Sequence, residues 1–204
     1  MPSSDHWNHV YETKESTAVS WFQPTPDSSL KLLEAAGLTA DTAVIDVGGG
    51  DARLVDALLD RGLEHVTVLD ISAAAIARAR TRLGTRAGLV NWIVADVTTD
   101  WTSPPVDLWH DRAVFHFLVD AADRARYVTN LRRTLKPGGY AVMATFAPDG
   151  PTTCSGLPVM RYSPESLKSE VSPGFALVES FLQPHETPMG TTQSFVYTLF
   201  RADR

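Results

Sequence analysis

The hydrophobic and polar positions along the chain follow two alternating patterns. Short apolar runs rich in β-branched residues are typical of buried strands, and longer stretches with an apolar residue every three or four positions are typical of helices. The strands predicted in this way are 43–47, 66–69, 92–95, 106–109, 140–146, 175–182 and 195–200. The predicted helices are 52–61, 73–83, 124–135 and 164–170. This alternation indicates an α/β protein with a mostly parallel sheet covered on both faces.

Two segments between these elements have compositions of their own. The sequence Lys-Pro-Gly-Gly at 136–139 predicts the end of a helix and a tight entry into the next strand. Residues 147–163 hold three prolines and two glycines and cannot form one regular element. We expect this second segment to be a loop over a binding site.

The most informative stretch is 43–52, where an apolar run ends in Asp46 and is followed by Gly48, Gly49 and Gly50. Asp51 then stands where a residue that caps the next helix is expected. A strand, a glycine turn and a helix start together form a cradle for a small ligand.

The residues around the glycines narrow the choice of ligand. A dinucleotide fingerprint requires glycine or alanine where Arg53 stands, and Asp51 would repel a pyrophosphate. The Gly-Lys-Ser/Thr ending of a P-loop is absent. A ligand with a cation and an ammonium group but no phosphate suits Asp46 and Asp51, and S-adenosylmethionine carries both charges.

Two further acids stand at the ends of predicted strands. Asp70 ends the second strand, where its carboxylate can accept two hydrogen bonds from a ribose diol. Asp96 ends the third strand, where it can accept from an adenine amino group while the amide of Val97 faces a ring nitrogen. Each acid alone is equally compatible with a helix cap or a solvated loop.

These motifs resemble the class I S-adenosylmethionine-dependent methyltransferases. The resemblance is carried by residues 46–52, by Asp70, by the Asp96-Val97 pair and by residues 136–139. It implies a Rossmann-like, seven-stranded, mostly parallel sheet of order 3-2-1-4-5-7-6 with strand 7 antiparallel. It also implies that the cofactor lies over the carboxyl ends of strands 1 to 4.

A narrower resemblance, to the thiopurine-methyltransferase-like branch, rests on aromatic residues before the sheet and on the fourth strand running into Asp111-Arg112. The aromatic residues are expected to form a lid near the sulfonium, although they are also compatible with ordinary core. The expected cofactor-binding residues are Trp7, Tyr11, Trp21, Phe22, Asp46, Val47, Gly48, Gly49, Gly50, Asp70, Ile71, Asp96, Val97, His110 and Arg112.

Candidate catalytic residues are expected to follow the fourth strand, at the edge where ligands bind. Arg112 is a candidate to hold the carboxylate of the cofactor or to stabilise an anionic nucleophile, or else to form an ion pair with Asp111. His110, His116 and, in a hairpin over 183–192, His185 are candidate general bases. Histidines packed in the core are the alternative.

One cysteine lies in the expected loop over the site. Cys154 is interpreted either as a reactive thiol or as a small buried apolar residue. As the only cysteine of the chain, it allows no internal disulfide and no multi-cysteine zinc site. No pair of metal-binding acids stands next to the candidate site, so we expect no metal.

Composition sets the remaining expectations. The 204 residues suit one domain, with 1–30 as an N-terminal lid segment and 40–204 as the catalytic core. A net charge of −6 and the lack of a basic run argue against nucleic acid as a partner. No apolar run approaches the ~18 residues of a membrane span, and we expect a cytoplasmic protein that is a monomer or a homodimer.

The function predicted from these observations is methyl transfer from S-adenosylmethionine to a nucleophilic S, N or O atom of a small molecule. The first alternative is methylation of a protein side chain such as lysine, which requires an open acidic groove. The second is a non-catalytic module that binds the cofactor. A closed aromatic pocket favours methyl transfer to a small molecule over both alternatives.

Overall fold

A central β-sheet carries the candidate site along one edge in the computed structural model, which describes residues 3–203. The strands are β1 Val44–Val47, β2 Val66–Asp70, β3 Val90–Val94, β4 Val106–Arg112, β5 Leu135–Phe146, β6 Thr153–Cys154, β7 Leu157–Pro158, β8 Phe175–Glu186 and β9 Thr192–Ala202. The α-helices are α1 Ser4–Thr13, α2 Asp27–Ala35, α3 Leu54–Asp60, α4 Ala73–Leu83, α5 Ala121–Thr134 and α6 Pro164–Val171. Short 3₁₀ turns cover Ser16–Ala18, Gly84–Leu89 and Phe115–Phe117.

Seven of the strands form one sheet in the order β3-β2-β1-β4-β5-β9-β8. Strands β1 to β5 are parallel neighbours, and β9 runs antiparallel to both β5 and β8. The short β6 and β7 form a separate two-stranded sheet. When these two are left out of the count, the order is 3-2-1-4-5-7-6 with strand 7 antiparallel, so the predicted fold class is confirmed.

Apolar side chains cover both faces of this sheet. One cluster includes Trp109, Phe115, Tyr127 and Leu131, and it lies where α5 packs on the sheet. The other cluster joins α2 and α3 to the opposite face. Because parallel strands are buried on both faces, they show continuous apolar runs, which explains why β1 and β2 were readily predicted.

Several predicted boundaries are corrected by the structure. Strand β4 continues to Arg112, so the three residues expected to follow it are instead its last residues. The strands β8 and β9 extend through most of the predicted hairpin over 183–192, which leaves only 187–191 as the turn. Leu135 begins β5 and does not end the preceding helix.

The N-terminal segment contains more regular structure than its sequence pattern indicated. Both α1 and α2 fall before the sheet, where no helix was predicted. Ser3 caps α1 through its side chain, and Pro26 stands at the N-cap of α2. Within residues 3–203, no helix is long and apolar enough to cross a membrane.

Candidate active site

The glycine turn after β1 packs directly over two buried carboxylates. A Cβ atom added at Gly49 would collide with Oδ2 of Asp46. A Cβ atom at Gly50 would lie 2.5 Å from Oδ2 of Asp70 and 2.8 Å from the Cβ of Ala75. The glycines are therefore required because the chain passes too close to these groups for a side chain.

Asp70 is the last residue of β2 and is only 5% exposed. Its Oδ1 accepts a hydrogen bond of 2.7 Å from the amide of Ser72. Burial raises the pKa of Asp70 to about 7, and the nearby Asp46 carboxylate contributes to the rise against the hydrogen bonds from the Ser72 and Gly50 amides. Asp70 and Ile71 both line a cavity above the turn.

Asp46 forms part of a buried hydrogen-bonded chain. Its Oδ1 lies 2.7 Å from Nδ1 of His110, whose Nε2 lies 2.8 Å from Oγ of Ser29. The three residues are 2%, 3% and 1% exposed, respectively. Oδ2 of Asp46 is buried and has no partner within the described part of the chain. An unpaired buried carboxylate oxygen is costly, so it marks a place where a ligand donor fits.

Asp51 does not have the capping role expected for it. The cap of α3 is Arg53, which provides no side-chain hydrogen bond, and the carboxylate of Asp51 is held by Arg82 and Ser16. Arg78 lies 3.9 Å from the same carboxylate. These partners already compensate its charge and connect the N-terminal segment to α4. Asp51 also lines the second of the cavities described below, so its predicted role toward a ligand cation stays a prediction.

Arg112 is fixed on several sides and has one free end. Nε donates to Oη of Tyr197 over 3.0 Å, Nη1 donates to the carbonyl of Trp21 over 2.9 Å, and the guanidinium lies 4.7 Å from the ring centre of Phe195. Nη2 is buried and has no partner among residues 3–203. The alternative ion pair with Asp111 is not formed, because Asp111 projects from the other face of β4.

Two cavities adjoin at this arginine. The first is bounded by Asp70, Ile71, Ala95 and Val97, and the second by the glycine turn, Asp46, His110 and Ser29. They share Tyr11, Trp21, Val47, Gly48 and Arg112 as lining residues. One elongated ligand can therefore extend from the end of β3, past Arg112, to the glycine turn.

Aromatic side chains of the N-terminal segment line the first cavity. Trp7 contacts Phe117 and Trp21 edge to face, with ring centres 5.1 Å and 5.8 Å apart. Tyr11 joins them, with its ring centre 6.2 Å from that of Trp21. Phe22 lines the second cavity. We call residues 3–23 the lid.

Polar contacts hold the lid on the sheet. Oδ1 of Asn8 accepts from Oγ of Ser72 over 2.8 Å and from the amide of Ala74 over 3.2 Å, which ties α1 to the start of α4. At the other end of the lid, Nε2 of His185 lies 2.7 Å from the carbonyl of Ser20. The lid is thus fixed at both ends around the cavities.

Three of the expected catalytic residues lie outside the linings of both cavities. His116 is fully buried, accepts from the Phe146 amide over 3.4 Å, and has a pKa that burial and the nearby Arg112 lower to about 3. Nε2 of His185 is hydrogen-bonded to the carbonyl of Ser20, and burial lowers the pKa of this histidine. Asp111 accepts from Oη of Tyr127 over 2.6 Å and holds the turn at 114–115. These side chains support the walls of the site.

The remaining predicted residues divide between the cavities and their supports. Val97 lines the first cavity, whereas one oxygen of Asp96 accepts from both the amide and the hydroxyl of Thr98 at 2.7 Å. Cys154 lines the first cavity and is 7% exposed. Burial raises its pKa to about 11, which favours the interpretation as an unreactive buried thiol.

Some residues of the site were missed by the sequence interpretation. Ser29, Tyr197 and Phe195 reach the site from α2 and β9, and no local motif marks them. Ala113, with a φ of 73°, and Phe117 form part of the wall after β4. Within residues 3–203, no three His, Cys, Asp or Glu side chains cluster in a way that could hold a metal ion.

Comparison with known proteins supports this description of the fold. A family model described as a methyltransferase domain matches residues 44–139. Lysine methyltransferase 2 for EEF1A from Danio rerio is 23% identical over 217 aligned positions, covering 98% of this chain and 86% of that protein.

Two solved structures are similar over most of the chain. N-methyltransferase NodS from Bradyrhizobium japonicum, in complex with S-adenosylhomocysteine, has a TM-score of 0.75 at 17% identity and covers 100% of both chains. 1,6-didemethyltoxoflavin-N1-methyltransferase from Burkholderia thailandensis, with bound 1,6-didemethyltoxoflavin and S-adenosylhomocysteine, has a TM-score of 0.68 at 18% identity. It covers 98% of this chain and 84% of that one.

Proposed function

We propose that this protein methylates a nucleophilic atom of a small molecule. The chain has the fold of the class I S-adenosylmethionine-dependent methyltransferases, and a methyltransferase domain model matches residues 44–139. S-adenosylmethionine is the expected cofactor of this fold. When bound, it supplies a methyl group that is activated by a positively charged sulfur.

The residues of the two cavities fit this cofactor. Asp70 offers a buried carboxylate for the ribose hydroxyls, and the segment around Val97 bounds the place for the adenine. Oδ2 of Asp46 and Nη2 of Arg112 have no partner among residues 3–203, and they belong to oppositely charged side chains that line the second cavity. They suit the ammonium and the carboxylate of an amino acid.

The observation that carries the proposal of a small acceptor is the aromatic lid. Tyr11 and Trp21 of the lid line both cavities, so they lie over the junction at Arg112, where the sulfur between the adenosine and amino-acid parts of the cofactor is expected. Trp7 and Phe117 cover the first cavity beside them. An enclosed, apolar site excludes water from the transferring methyl group, and a protein chain would require an open groove. This enclosure favours a small acceptor over a lysine side chain.

The histidines limit which acceptor atoms are favoured. Both ring nitrogens of His110 have partners, His116 lies outside the cavity linings, and His185 is bonded to the lid. Nε2 of His116 has no partner among residues 3–203, but neither His116 nor His185 is one of the residues that line the two cavities. Acceptors with an available sulfur or nitrogen lone pair need little more than positioning, so they are favoured over alcohols.

A binding experiment followed by an acceptor screen tests the proposal. Calorimetric titration with S-adenosylmethionine and S-adenosylhomocysteine should show binding that Asp70→Asn weakens. Transfer of a labelled methyl group should then occur to members of a panel of thiols, amines and phenols. Transfer only to lysine peptides would favour the protein-methylating alternative, and binding without any transfer would favour a non-catalytic module. No binding to the wild type would contradict the proposal.

A further inference from the structure

Ser29, His110 and Asp46 form a continuous hydrogen-bonded chain from α2 through β4 to β1. The contacts measure 2.8 Å from Oγ of Ser29 to Nε2 of His110 and 2.7 Å from Nδ1 of His110 to Oδ1 of Asp46. Beside a carboxylate, Nδ1 of the imidazole donates, which leaves Nε2 to accept from the serine hydroxyl. The histidine side chain thereby has a fixed tautomer and orientation.

The same three residue types hydrolyse esters and amides when the serine hydroxyl is exposed to a substrate. Ser29 is 1% exposed and lies within α2, so its oxygen is not placed to attack a substrate. The chain of contacts instead ends at Asp46, whose second oxygen, Oδ2, is buried close beneath Gly49 and has no partner in the described residues 3–203. Asp46 is also one of the residues that line the second cavity.

We infer that Ser29 and His110 are positioning residues, which hold Asp46 so that its Oδ2 receives the ammonium group of the cofactor's amino-acid part. This inference rests on the proposed function. A carboxylate with one oxygen held by an imidazole cannot rotate freely, so its other oxygen stays at one place in the cavity. Binding of the amino-acid part of the ligand depends on this chain of contacts. Binding of the adenosine part, at Asp70 and Val97, does not.

The test compares two ligands that share an adenosine part. S-adenosylhomocysteine has the ammonium and carboxylate groups, and 5′-methylthioadenosine lacks both. In calorimetric titrations, Ser29→Ala should raise the Kd for S-adenosylhomocysteine about tenfold, the usual effect of one hydrogen bond near a charged group. The Kd for 5′-methylthioadenosine should stay within about twofold of the wild-type value, since that ligand does not reach Asp46.

Two further variants make the test specific. Ser28→Ala, at the neighbouring position of the same helix, should change neither Kd. His110→Asn keeps a donor close to the position of Nδ1, so it should retain more affinity for S-adenosylhomocysteine than His110→Leu. Thermal unfolding of each variant, followed by circular dichroism, verifies that the protein titrated is folded.

The outcomes separate this inference from the proposed function. If Ser29→Ala weakens the binding of both ligands equally, or of neither, the inference is overturned while the proposed cofactor stays in place. Failure of the wild type to bind either ligand overturns the proposed function and the inference together. Selective loss of S-adenosylhomocysteine supports both.

Discussion

Nη1 of Arg112 donates a hydrogen bond of 2.9 Å to the carbonyl oxygen of Trp21, 91 residues earlier in the chain. The last residue of β4 therefore holds the lid and also lines both cavities, and its Nη2 has no partner among residues 3–203. The same side chain therefore contributes both to closing the site and to recognising the ligand.

Replacement of Arg112 by alanine should raise the Kd for S-adenosylhomocysteine by about 100-fold, because it removes a buried cation and the contact that holds the lid. Arg112→Lys should lie between the wild type and Arg112→Ala, since lysine keeps the charge but not the planar fork of donors. Calorimetry measures the effect. Arg61→Ala, at a surface pair with Glu34, is the control and should not change the affinity. An unchanged Kd for Arg112→Ala would contradict the assignment.

Ligand affinity should depend on the ionisation of Asp70. Ribose hydroxyls donate hydrogen bonds, so they bind the carboxylate better than the neutral acid, and the pKa of Asp70 is raised to about 7 by burial. The affinity of the wild type for S-adenosylhomocysteine should therefore increase between pH 5.5 and 8 and then level off. Asp70→Asn, which cannot ionise, should show a flatter profile and about tenfold weaker binding at pH 8. Parallel profiles for the two proteins would contradict this prediction.

The same shift predicts the pH dependence of stability. Between the unfolded pKa of 3.8 and the folded pKa of about 7, Asp70 keeps its proton in the native state and loses it in the unfolded state. The native state then binds more protons, so the contribution of Asp70 to the free energy of unfolding falls as pH rises through this range. Asp70→Asn should gain stability relative to the wild type from pH 4 to pH 7, as measured by urea unfolding.

His116 should have the opposite effect in acid. Its pKa falls from 6.5 to about 3 on folding, because the ring is buried near Arg112. Below pH 6.5 the unfolded state binds a proton that the native state does not, so this contribution to stability is complete above pH 6.5 and is lost as pH falls toward 3. His116→Asn, which keeps an acceptor for the Phe146 amide, should unfold with a smaller acid dependence. An identical dependence would show that His116 is not neutral in the folded protein.

Gly50→Ala should disrupt the site. The new Cβ would lie 2.5 Å from Oδ2 of Asp70 and 2.8 Å from the Cβ of Ala75, so the turn and α4 would have to separate. We expect destabilisation of about 1–3 kcal/mol, typical of overpacking, together with loss of detectable ligand binding. Gly88→Ala, where the added Cβ meets no atom within 4 Å, is the matched control in thermal unfolding. Equal behaviour of the two variants would contradict the steric argument.

The parallel strands and the glycine cradle could be predicted from local pattern alone, whereas the order of the strands was implied by the resemblance to the class I methyltransferases. Buried parallel strands carry continuous β-branched runs, and the glycines at 48–50 mark a close approach of the backbone to other groups. The end of β4 could not be predicted in the same way, since His110, Asp111 and Arg112 are polar and resemble a loop. In the sheet they alternate between faces, which brings His110 and Arg112 to the cavities and directs Asp111 away.

Local sequence was enough to predict the α/β architecture, the glycine turn, the acids at the strand ends and the aromatic segment before the sheet, because each leaves a periodic or compositional signal within a few residues. Which charges are already compensated depends on tertiary packing. Asp51 is paired with Arg82 from α4, Asp46 is held by His110 from β4, and Nη2 of Arg112 has no partner in the part of the chain that the structure describes. These pairings join residues 31 or more positions apart, and such contacts depend on how the helices and strands pack rather than on neighbouring residues.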